Sequence, residues 1–126
     1  MDDRLQPTIE ALESTKSRDW AWNFYQNRRG VTGVWILFLY AGQFHKISVH
    51  NCQQRPNPDE LTEAIRGIKQ LDRDQTWIYE NRRGQPGFST TAWSTVPLQD
   101  STSHAFMISR SHELPTEAER VDLDAK

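Results

Sequence analysis

The 126 residues are 36% hydrophobic and 25% charged and include five Trp, three Tyr and five Phe, enough for one domain around one core and too much buriable surface for wholesale disorder. The longest apolar run, 34–41, is far short of the roughly 20 residues of a membrane helix, the acidic start Met1-Asp2-Asp3-Arg4 leads into no signal-like stretch, and Cys52 is the only cysteine, so no membrane partner and a reducing, cytoplasmic location are expected. The net charge of −2 is unevenly spread, with five acids against three bases over 1–19, five against two over 113–126 and seven against ten between them, a balance that permits anion binding but lacks a strong basic footprint.

In chain order, Leu5, Ile9 and Leu12 stand at helical spacing with Pro7 near the start, which predicts a short amphipathic helix over about 6–16. The aromatic run 20–25 is poor in helix formers and predicts a strand with Trp20, Trp22 and Phe24 on one face. Residues 27–33 read as a loop whose glycines suit positive φ. The stretch 34–40 is apolar on both faces, as for a central strand covered on both sides or lying across a dimer contact. A tight turn at 41–43 leads to a strand over 44–50, and 51–55 is a polar connection.

Asn57 then reads as an N-cap, Pro58 as the first helical residue and Glu60 as the partner in a capping box. Leu61, Ile65, Ile68 and Leu71 predict one apolar stripe over about four turns. Strands follow over 76–80, 88–96 and 104–110, with loops over 81–87 and 97–103. The expected fold is a single α+β domain over 1–112, two tandem αβββ units (about 5–50 and 57–110) giving a mostly antiparallel sheet with two helices packed on it. Residues 113–126 are expected to be an acidic, flexible tail.

One element, Tyr-x-Asn-Arg-Arg-Gly-x-x-Gly-(Val/Phe), occurs twice at an offset of 54, pairing Tyr25 with Tyr79, Asn27 with Asn81, Arg28-Arg29-Gly30 with Arg82-Arg83-Gly84, and Gly33 with Gly87. One reading is a pair of hairpins whose loops need glycine and whose arginines are merely solvated. The other uses the guanidinium fork, suited to phosphate or carboxylate, and glycine backbone open to an anion. A third makes Gly30 and Gly84 the residues that end helices, which the aromatic flanks disfavour.

Aromatics interleave with these bases, as in single-stranded nucleic-acid sites, although most of the rings are expected to be core and Trp93 to be exposed. His50 and Cys52 are two apart, but two ligands make no zinc site, and neither a nucleophile signature nor a phosphate loop is present. The order helix, three strands, helix resembles double-stranded-RNA-binding domains, and type III secretion chaperones, in layout alone. The basic Gly-x-Gly-Ser-Lys-Lys-like helix start of the former is replaced by acidic Asn57-Pro58-Asp59-Glu60, and layout does not carry function.

The expectation is therefore a non-enzymatic binding protein without cofactor or metal. Arg28, Arg29, Arg82 and Arg83, with Asn27 and Asn81, would engage an anionic partner, RNA or a nucleotide, while Trp20, Trp22, Trp77 and Trp93 would stack on it. The alternative is a protein–protein module, such as an inhibitor, immunity or chaperone-like protein of a pathogen or mobile element, acting as a homodimer or on a protein partner.

Overall fold

In a computed structural model of the chain, residues 2–80, 83–98 and 104–113 are described. A 3₁₀ turn, Asp3–Leu5, opens into α1 (Gln6–Ser14), and the strands β1 (Ala21–Gln26), β2 (Thr32–Tyr40) and β3 (Gln43–His50) follow. Then come α2 (Pro58–Arg66), β4 (Trp77–Glu80), β5 (Pro86–Ser94) and β6 (His104–Ser111). The strands form one six-stranded sheet in the order β1-β2-β3-β6-β5-β4. All neighbours are antiparallel, as the expected α+β class requires.

Asn57 caps α2 as anticipated, its side-chain oxygen accepting the Asp59 N–H at 2.8 Å, with Pro58 in the first turn. The apolar stripe misleads about length. The helix stops at Arg66, where Gly67 N–H bonds the Glu63 and Ala64 carbonyls, and Ile68 and Leu71 are buried beyond its end. Leu71 instead bridges to Ala92, lengthening the sheet.

Both helices lie on one face of the sheet. Leu5, Ile9 and Leu12 from the first segment and Leu61, Ala64 and Ile65 from α2 bury against Val34, Ile36, Ile47, Val49, Phe106 and Ile108. Each such aliphatic side chain contributes about 1.5–3 kcal/mol. The expectation of a β2 covered on both sides is corrected. Val34, Ile36 and Phe38 are buried, but Trp35 and Leu37 on the other face are only half-buried and Leu39 is exposed.

The aromatic strands also differ from expectation. Trp20 is buried and stacks on Phe38 at 6.2 Å between centroids. Trp22, Phe24, Trp77 and Tyr79 are exposed, because β1 and β4 are the two edges of the sheet. Most of these rings are thus surface and not core.

Candidate binding site

The repeated element forms hairpin turns and no helix end. In the first, Asn27 N–H bonds the Val31 carbonyl at 2.9 Å, while the Asn27 side-chain oxygen accepts the backbone N–H groups of Arg29 and Val31 at 2.9 and 3.0 Å. Gly30 stands at φ +80° and Gly84 at φ +73°, a region open to glycine at little cost. Tyr25 lies over its cross-strand partner Gly33, and Tyr79 over Gly87. A Cβ at Gly33 would collide with the Tyr25 ring and the Val49 carbonyl, and one at Gly87 with the Tyr79 ring. In the first copy Tyr25, Asn27 and both glycines are therefore explained by the hairpin, and the arginine pair is what remains.

Strand direction separates the two turns. In an antiparallel sheet of this order β1 and β4 run in opposite directions, so the turn after β1 and the turn after β4 lie at diagonally opposite corners. Arg28 and Arg29 are exposed at one corner and Arg83 at the other. Asn81 and Arg82 lie outside the described residues. Arg28 and Arg29 therefore do not converge with Arg83 on one site.

At the first corner the face away from the helices opens into a cleft of about 440 Å³. One cross-strand row supplies its floor. Tyr25 pairs with Gly33, Gly33 with His50, and Ala105 with Trp93. One step on from the Val49–Phe106 pair, His50 lies opposite Ala105. Asn27, Arg29 and Val31 from the first turn form one wall, and Asp72, Gln75, Thr91 and Trp93 form the other. The walls stand three strand spacings apart, about 14 Å. Trp93 is 61% exposed, as the sequence predicted.

His50 is fixed from two sides. Its Nδ1 is 2.5 Å from the Tyr25 hydroxyl, with the rings edge to face. Its backbone carbonyl faces Nδ1 of the fully buried His104 at 3.2 Å, whose Nε2 meets the Leu98 carbonyl at 2.9 Å. On the opposite wall Asp72 accepts the Asp74 N–H at 3.0 Å, and its carbonyl receives the Thr76 hydroxyl. Gln75 Oε1 is buried and has no hydrogen-bond partner among the described residues, an arrangement that costs about 1–3 kcal/mol.

Of the residues singled out by sequence, the cleft unites Asn27, Arg29 and Trp93. Trp20 is in the core, Trp22 is on the helix-side face of the β1 edge, and Trp77 is on β4. His50, Asp72, Gln75 and Ala105 were not singled out as ligand contacts. His50 stood out in the sequence only through its spacing from Cys52, which raised a metal and not this cleft. The Cys52 thiol is buried and donates to the Gln54 carbonyl at 3.0 Å, and burial pushes its pKa up, which disfavours the thiolate a nucleophile needs. Among the described residues no group of three or more His, Cys, Asp and Glu is arranged to hold a metal, and no helix is long and apolar enough to cross a membrane.

Compared with known proteins, the chain matches no family model, no curated protein and no solved structure.

Proposed function

We propose that the protein is a non-enzymatic binding protein and that the corner cleft takes a phosphate-bearing ligand with an aromatic base, a single strand of RNA or a nucleotide. The observation that carries this reading is the meeting of Arg29, Asn27 and the exposed Trp93 around one concavity. Arg29 offers a planar fork of donors to phosphate, and Trp93 offers a face on which a base stacks, worth about 1–3 kcal/mol. Between them, the exposed carboxylate of Asp72 is an acceptor suited to a base amino group or a ribose hydroxyl. Phosphate belongs on the Arg29 side, away from Asp72.

Filter binding with single-stranded RNA, duplex RNA and cyclic dinucleotides tests the reading. Retention of a strand or nucleotide is expected, weakened by Trp93→Ala and by Arg29→Ala, with a shallow salt slope because few cations are engaged. Absence of retention of all three ligands at low salt overturns it.

A second reading, a protein–protein module, is favoured by a different observation. Trp22 and Phe24 on one edge strand, and Trp77, Ile78 and Tyr79 on the other, are large hydrophobic side chains left exposed, as at the edges by which sheets meet partners.

A further inference from the structure

The two edges of the sheet are unequal. β4 has four residues and ends on Glu80, whereas β1 has six, Ala-Trp-Asn-Phe-Tyr-Gln, with no charge and no proline. Among the described residues it pairs on one side only, with β2, in an unbroken register from Ala21–Leu37 to Gln26–Thr32. Short length, charge, proline and bulges are the usual devices that keep an edge from accepting another strand. β1 has none of the four.

Its outward backbone can be assigned. Asn27 N–H turns inward to the Val31 carbonyl in continuation of the β1–β2 register, and amides alternate sides along an antiparallel strand. Trp22, Phe24 and Gln26 therefore present their N–H and C=O groups to the outside. The Phe24 N–H is held at 2.8 Å by the side-chain oxygen of Asn23, a removable cap on an otherwise open edge.

The side chains on this edge form a platform. Trp22 is 39% and Phe24 52% exposed. Their rings meet edge to face at 5.4 Å, and the Arg55 guanidinium lies over the Trp22 ring at 5.3 Å. Lys16 and Arg18 precede the strand, Arg28 and Arg29 follow it, and Asp19 is the only acid in the same set. Four cations against one carboxylate leave +3 on the flanks of this strand in a chain of net charge −2, with Arg55 added over Trp22. That charge opposes a second copy of the same edge and attracts an acidic segment.

We propose that β1 is a docking edge for an extended acidic peptide of a protein partner, which adds as a seventh strand with apolar side chains on Trp22 and Phe24 and its negative charge in the field of Arg28 and Arg55. This goes beyond the cleft: main-chain pairing supplies affinity, while the aromatic platform and the basic frame select the sequence.

The test is fluorescence anisotropy with a labelled Glu-Val-Glu-Phe-Glu-Val-Glu peptide, its Lys-for-Glu counterpart, and the acidic peptide N-methylated at alternate residues in each of the two phases. Binding of the acidic peptide is expected, with about tenfold loss for the Lys peptide and for Arg28→Glu combined with Arg55→Glu. Methylation in one phase abolishes binding and in the other leaves it. Asn23→Ala, which uncaps the Phe24 amide, tightens it about threefold. Circular dichroism checks that both variants stay folded, and Trp93→Ala, which removes the cleft aromatic, leaves this binding unchanged. Absence of binding, equal binding of the Lys peptide, or tolerance of methylation in both phases overturns the proposal. A dimer in sedimentation that Phe24→Lys dissociates gives the edge to a second copy and overturns it too.

Discussion

The two Arg-Arg-Gly hairpins share a sequence but not a neighbourhood. In each, a tyrosine lies over a cross-strand glycine and a second glycine takes positive φ. Beyond the hairpin the rows diverge. From Tyr25 the floor runs through Gly33, His50 and Ala105 to Trp93, small enough in the middle to leave a cleft. From Tyr79 it runs through Gly87 and Ser111 to Phe44 and Leu39, so that Phe44 stands at the place of Ala105 and Leu39 at that of Trp93. A repeated string can encode a repeated turn while strands from elsewhere decide whether that turn borders a site.

The largest test of this contrast is steric. A Cβ at Gly33 meets the Val49 backbone as well as Tyr25, whereas the nearest atoms to one at Gly87 all belong to the side chain of exposed Tyr79. Gly33→Ala is expected to cost about 3 kcal/mol and Gly87→Ala about 1 kcal/mol in urea unfolding, because a side chain yields and a backbone does not. Equal losses would break the contrast.

The helix-side core sharpens it through pH. At the first hairpin's end the central pair is Val49–Phe106, and at the second hairpin's end it is His45–Arg110. His45 is buried and stacked on Phe38, and burial, aided by the nearby Arg110 charge, lowers its pKa from 6.5 to about 4. A histidine that resists protonation in the fold leaves the unfolded chain holding more protons between these values. Its contribution is complete above pH 6.5 and falls away toward pH 4, by about 2 kcal/mol after solvent screening is allowed for. His45→Phe should flatten that part of the stability profile in urea titrations at pH 4–7. An unchanged profile would remove His45 as the cause.

A smaller effect concerns the cleft floor. Tyr25→Phe removes the hydroxyl that meets His50 Nδ1, with an expected loss of about 1 kcal/mol and a displaced His50 ring signal in NMR. Loss of stability without change at His50 would separate the hydroxyl from that ring.

Legibility in the sequence followed locality. The six strands, the Asn57 cap, the hairpin turns and the exposure of Trp93 were readable because alternation, capping and glycine chemistry act within a few residues. The end of α2 was not, since Ile68 and Leu71 keep helical spacing while packing outside the helix. Nor was the exposure of Trp22 and Phe24, because an alternating aromatic strand reads the same at an edge as in the middle of a sheet. The cleft depends on β3 pairing with β6 across more than fifty residues. No local pattern announces that pairing, so His50 and Ala105 could not be joined to Arg29 and Trp93 beforehand.

The central claim is that the hairpins are unequal in binding although they are alike in sequence. The direct measurement is the affinity of a short single-stranded uridine oligonucleotide for Arg29→Ala and for Arg83→Ala, each against the unaltered protein at one low salt concentration. Loss of about tenfold for Arg29→Ala with near-normal binding by Arg83→Ala is the expected result. Equal loss in the two variants, or loss confined to Arg83→Ala, would contradict it.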